Sequence, residues 1–129
     1  MEILNNFQNI LLVSLGAVFG ANARFIIYQK FKEINTNGYL IILAINTFSS
    51  FLLGFFISIF PKIRFFNFSS QFVLFFFIGF LGSLSTFSTF VYDLFDLVLK
   101  FKFFRALKSF ALSYSLGIIA LALGSFFGN

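Results

Sequence analysis

Residues 79–90 read Gly79-Phe80-Leu81-Gly82-Ser83-Leu84-Ser85-Thr86-Phe87-Ser88-Thr89-Phe90. Two glycines and five hydroxyl residues in twelve positions do not make a strong uninterrupted helix. Gly and Ser lower helix preference, and hydroxyls compete for backbone groups. Yet the stretch lies inside an apolar run from Gln71 to about Leu99, too long and too broken for a simple membrane span. A broken helix at membrane depth is tolerated where its backbone is buried or lines a cavity. Its freed carbonyls can hold a cation, and its N-termini can face an anion. Ser85 or Thr86 can cap the second half. Phe87 and Phe90, three residues apart, project from one face of that half. An aromatic ring has a positive edge, so two edges turned inward would help solvate a small anion where water is absent. Ordinary packing is the competing reading of such a pair.

Outward from this segment the chain is apolar almost throughout. Three more runs, 10–31, 38–60 and 106–127, join the run 71–99, and Pro61 stops the second. Each is long enough to cross the bilayer, which takes ~20 apolar residues per helix. The runs lack period-two alternation, so four helical spans are expected rather than a β-barrel. No linker separates domains, and the 129 residues read as one all-α membrane domain. Hydrophobic types make up 60% and charged types 10%, against ~25% charged in a soluble domain. That balance excludes a soluble enzyme, a disordered linker and a free nucleic-acid binder. The first run is not read as a signal peptide despite Ala21-Asn22-Ala23, because its first cation, Arg24, follows the apolar stretch instead of preceding it.

There is no Cys and no His, which removes disulfides, thiolate chemistry, the usual zinc sites and His-based general bases. Asp93 and Asp96 follow the broken segment, with Asp93 on the face of Thr89. No second carboxylate pair or Ser-Lys dyad supports catalysis, so no enzyme is expected. The net charge of +5 comes from cations that mostly flank apolar runs, where Lys and Arg anchor spans and set orientation. Loops one and three carry six cations (Lys30, Lys32, Lys100, Lys102, Arg105, Lys108) and loop two carries Lys62 and Arg64. This favours both termini outside. Most of the 26 Phe residues read as lipid-facing filler.

Small and polar residues fall on stripes spaced by four: Gly16, Gly20, Arg24; Asn46, Ser50, Gly54, Ser58; Ser109, Ser113, Gly117, with Gly124 and Gly128 nearby. Close helix packing is the plain reading of the glycines. Asn46 is costly mid-span unless bonded, and faces either a partner helix or a pathway. Arg24 either snorkels to the headgroups or stands as a fixed charge at an aqueous vestibule.

These elements together resemble the Fluc (CrcB) fluoride channels over nearly the whole chain. Gly20-Ala21-Asn22-Ala23-Arg24-Phe25 and the second-run pair Ile45-Asn46 match that family's first two elements, and residues 79–90 match its most specific signature. The resemblance implies an antiparallel, dual-topology homodimer of four-helix subunits in the inner (plasma) membrane, pairing with itself or a paralogue. It implies passive, selective fluoride export through two narrow pores. Carried onto this sequence, Phe87 and Phe90 match the aromatic box, Asn46 the pore amide and Arg24 the vestibule arginine. Ser113 and Ser109 match polar fourth-span positions, and the hydroxyls from Thr86 to Thr89 stand as further donors. Gly82 and Ser85 match positions whose backbone carbonyls hold a structural sodium at the dimer centre. Ser83 stands for a family Gly, Ser85 for a Thr, Tyr39 for a Thr, Asp93 for a Glu, and Ser109 where a Tyr is common. Two other readings use only generic span features: a small proton-coupled exporter of the multidrug-resistance type, which needs Asp93 or Asp96 in the membrane, and a non-conducting assembly subunit.

Overall fold

The computed structural model describes residues 1–34, 37–62 and 70–129. Arg64 of the second loop lies outside the described residues. The described chain is helical. Helix α1 spans Glu2–Ile34 and α2 spans Gly38–Ile59. Helix α3 covers 70–84; it opens as an α-turn (Ser70–Val73), continues as a π-helix (Leu74–Leu81) and closes on an α-turn (Gly82–Leu84). Ser85 (φ −71°, ψ 150°) and Thr86 (φ −137°, ψ 119°) are extended. Helix α4 then runs over Phe87–Leu99 and α5 over Phe103–Gly128. Among the described residues, four helical segments are long and apolar enough to cross a membrane: Glu2–Ile34, Gly38–Ile59, Gln71–Leu99 and Phe103–Gly128.

Helix α1 is longer than the apolar run that marks it, because residues 2–9 continue the same helix. At the other end of the molecule Arg105 and Lys108 lie inside α5. The third connection is therefore only the turn around Lys100 to Lys102. It closes with Lys102 N–H donating to Leu97 C=O (2.9 Å) and Phe101 N–H to Val98 C=O (3.0 Å). That is the bonding of a left-handed helix stop, usually built on Gly. Here Phe101 occupies it at φ 57°.

In a bilayer helices associate by close backbone approach rather than by hydrophobic exclusion, and two glycine seams show it. In the first, a Cβ on Gly16 would overlap the Phe75 carbonyl oxygen, and one on Gly20 would overlap the Phe80 carbonyl oxygen and the Ser83 hydroxyl. In the second, a Cβ on Gly54 would overlap the Leu121 carbonyl oxygen and one on Gly124 the Phe51 carbonyl oxygen. Ser58 and Ser125 hydroxyls meet at 2.8 Å along the same seam. Residue numbers rise together along both seams, so α1 runs parallel to α3, and α2 parallel to α5. The α5 C-terminus is held by Lys62, whose Nζ donates to the carbonyls of Gly128 (3.2 Å) and Asn129. A cation there also suits the negative end of the helix. The two helix pairs meet over a small core of Ile41, Ile45, Leu81 and Leu84. The α3 rings extend it: Phe72, Phe76 and Phe80 stack with centroids 5.6 and 5.4 Å apart, and Phe56 meets Phe76 edge-on at 5.2 Å.

Candidate functional site: the interruption between α3 and α4

Two consecutive extended residues leave backbone groups without helical partners, and in a bilayer each unsatisfied group costs several kcal/mol. The chain resolves this with one side chain. Asn46 on α2 accepts from Thr86 N–H through Oδ1 (2.9 Å) and donates from Nδ2 to Thr86 C=O (3.1 Å). The carboxamide thus takes the place of a neighbouring peptide group. Thr86 is 4% exposed, so water does not compete for these bonds. Of the two cap candidates, Thr86 is the one used. Its Oγ1 accepts from Thr89 N–H (3.4 Å) and lies 3.2 Å from the Thr89 hydroxyl and 3.3 Å from that of Ser88. Ser85 instead turns its hydroxyl back onto the carbonyls of Leu81 and Gly82, both at 3.4 Å.

The junction forms the wall of a cavity of about 280 Å³, lined by Asn46, Ser50, Ser85, Thr86, Phe87, Phe90, Phe110, Ser113, Tyr114 and Gly117. Phe90 is 9% exposed and Phe87 is 77% exposed. Their ring centroids lie 6.4 Å apart at an interplanar angle of 47°. Phe90 stacks in turn on Phe110 (6.4 Å, 29°), and Phe110 on Tyr114 (6.2 Å, 6°). An aromatic ladder therefore crosses from α4 to α5. Asn46 keeps one Nδ2 hydrogen beyond its bond to Thr86, and Ser113 offers a hydroxyl. The Ser50 hydroxyl donates to Asn46 C=O (3.0 Å).

Of the residues singled out in the sequence, Asn46, Thr86, Phe87, Phe90 and Ser113 share this cavity. Thr89 stands behind it, coupled through the Thr86 hydroxyl. Ser109 lies one turn before Ser113 on α5 and is not among the lining residues; its carbonyl accepts from Tyr39 Oη (3.2 Å), which also lies 3.5 Å from Ser113 Oγ. Arg24 is half-buried on α1 and is not among the residues lining this cavity, and among the described residues it has no hydrogen bond or ion pair within the chain. Gly82 and Ser85 line a second, smaller cavity of about 120 Å³ with Ser49 and Ser50. Sequence reading missed Phe110, Tyr114 and the Tyr39 hydroxyl. Phe110, Ser113, Tyr114 and Gly117 do fall at helical one-face spacing, so the α5 stripe held the signal, hidden by the abundance of Phe. Gly117 was grouped with the packing glycines, yet the nearest atom to a Cβ there is Ser50 Oγ at 3.8 Å. It opens the cavity rather than closing a seam.

Comparison with known proteins bears on this arrangement. The family described as CrcB-like protein, Camphor Resistance (CrcB), matches residues 11–125, a range that contains both glycine seams and the junction. A Prochlorococcus marinus (strain NATL2A) protein named fluoride-specific ion channel FluC 2 is 57% identical over 122 residues, covering 95% of this chain and 98% of that relative. A multi-pass helical membrane protein with these motifs, matched over nearly its full length, belongs to the CrcB-like family.

Proposed function

We propose that this chain is the subunit of a passive, fluoride-selective channel in the inner membrane, working as an antiparallel, dual-topology homodimer, and that residues 70–99 form one span broken at Ser85 and Thr86. The observation that carries the reading is the Asn46–Thr86 junction, which holds Phe87, Phe90, Asn46 and Ser113 around one cavity. The name of the Prochlorococcus relative supplies the ion.

Fluoride must lose much of its water to pass a narrow pore, and moving a bare ion into low dielectric costs ~20 kcal/mol in the idealised limit. The free Asn46 Nδ2 hydrogen and the Ser113 hydroxyl offset part of this. The positive edges of Phe87 and Phe90 act where no hydroxyl reaches. Each contact stays individually modest, so the ion is released as readily as it is taken up. No cavity residue is acidic, which keeps the path open to an anion. One protomer supplies only an open groove, and Phe87 stands largely uncovered; a second copy would complete the wall. Arg24 would stand at the vestibule, where an unpaired cation concentrates anions.

The same reading gives Gly82 and Ser85 carbonyls a structural sodium. Supporting it, α3 stops at Leu84, and among the described residues the Gly82 carbonyl in its last turn receives the Ser85 hydroxyl (3.4 Å) in place of a helical N–H; uncharged oxygens of this kind suit a hard monovalent ion. When bound, such an ion adds positive potential near the anion path. The test is fluoride efflux from liposomes carrying the purified protein, read with a fluoride electrode beside a chloride control and without a pH gradient. Fluoride-selective efflux is expected; no efflux, or efflux only under an imposed pH gradient, would overturn the reading.

A further inference from the structure

Three hydroxyls on α1 and α2 send their hydrogen to the carbonyl one turn back. Ser14 donates to Ile10 C=O (2.7 Å), Thr47 to Leu43 C=O (2.7 Å) and Ser50 to Asn46 C=O (3.0 Å). A hydroxyl engaged in this way has no hydrogen left for a passing ion. Ser113, which lines the larger cavity, is held out of that bond. Its acceptor would be Ser109 C=O, and Tyr39 Oη reaches across from α2 and donates to that oxygen instead (3.2 Å). A carbonyl oxygen has two lone pairs. In a helix the N–H four residues on takes one, and here Tyr39 takes the other. Among the described residues, the Ser113 hydroxyl has its hydrogen-bonding contact with Tyr39 Oη alone, at 3.5 Å. The single Tyr39 hydrogen lies on the carbonyl, so Tyr39 meets Ser113 as an acceptor. A good O–H···O bond is about 2.7–2.8 Å long, so this contact is weak and is given up at little cost.

We propose that Tyr39 is a positioning residue for the anion path: by occupying the Ser109 carbonyl it keeps the Ser113 hydroxyl hydrogen available to fluoride. Tyr39 is not among the residues lining the cavity, so it acts through Ser113. When an anion enters, Ser113 turns its hydrogen from Tyr39 onto the ion. The Tyr39 hydrogen then swings from the Ser109 carbonyl to Ser113 Oγ, and a hydroxyl that accepts a hydrogen bond is a stronger donor. As the ion leaves, both hydroxyls rotate back. Each proton stays on its own oxygen throughout. This inference rests on the fluoride-channel reading above.

The experiment compares fluoride efflux from liposomes for the parent, Tyr39→Phe, Ser113→Ala and the double variant, with Tm read for each. In Tyr39→Phe the freed lone pair of Ser109 C=O lets Ser113 bond back along its own helix. That variant should lose flux ~10-fold, as should Ser113→Ala, the scale of one hydrogen bond to a charged group. Both changes remove the same donor, so the double variant should also lose ~10-fold, not the ~100-fold that independent sites would give. Tyr39→Leu removes the same hydroxyl and stands in if Tyr39→Phe does not fold. A merely structural Tyr39 would lower flux by one factor whether residue 113 is Ser or Ala. Parental flux through either single variant, or losses that multiply in the double variant, would overturn the Tyr39 role and leave the channel reading intact. A parent protein without fluoride efflux would overturn both.

Discussion

Asn46 carries two loads at once. Its amide closes both backbone groups of Thr86 and lines the cavity with what remains. Asn46→Ala leaves a buried N–H and a buried C=O unpaired, and should lower stability by about 2–4 kcal/mol, read as a fall in Tm. Asn46→Asp should lose fluoride flux through like charge, but it also sets a carboxylate oxygen against the Thr86 carbonyl. Its flux therefore has to be read together with its Tm, and a variant with parental Tm and parental flux would remove Asn46 from both roles. A polar residue mid-span was legible in the sequence as one needing a partner. The identity of that partner was not, since Thr86 lies 40 residues away and nothing local marks it. The same holds for Phe110 and Tyr114: their spacing was visible, but in a chain with 26 Phe only the fold separates a cavity ring from one facing lipid.

At the scale of the elements, glycine spacing predicted seams and the seams exist, but equal spacing concealed unequal tasks. Gly16 faces the backbone of Phe75, which cannot swing away, whereas a Cβ on Gly117 would meet only the Ser50 hydroxyl at 3.8 Å, an ordinary contact. Gly16→Ala should therefore destabilise the protein by about 1–3 kcal/mol through overpacking. Gly117→Ala should leave stability within about 0.5 kcal/mol of the parent while narrowing the cavity and reducing flux. Equal Tm losses for the two variants would show that α5 does not leave that gap. The extended residues at 85 and 86 follow from a run of hydroxyls that favour caps over helix interiors, and that local signal was readable. The π-helical stretch Leu74–Leu81 was not: its residues are apolar on every side, so no periodicity distinguishes one winding from another. Its register is decided by packing, with Gly79 brought against Gly16.

At the scale of the molecule, a single chain buries little of itself. Large apolar side chains stand uncovered along α1 and α5, as lipid-facing helices should, and the Phe87 ring stands out among them because it belongs to the cavity. Composition alone made the membrane legible. It could not make the assembly legible, because lipid and a second subunit ask for the same apolar surface. The loop charges favour one orientation, while dual topology requires both. The absence of native Cys allows a clean test: Asn5→Cys, labelled on intact cells with an impermeant maleimide, should react in roughly half of the molecules, whereas a charge-fixed single orientation would give nearly all or none.

The central claim is that fluoride passes between the rims of Phe87 and Phe90. Fluoride efflux from liposomes measures it most directly, using Phe87→Ile and Phe90→Ile proteins that retain the parental Tm. Each variant should lose most of its fluoride flux while the liposomes stay tight to chloride. Parental fluoride flux through both variants would contradict the account.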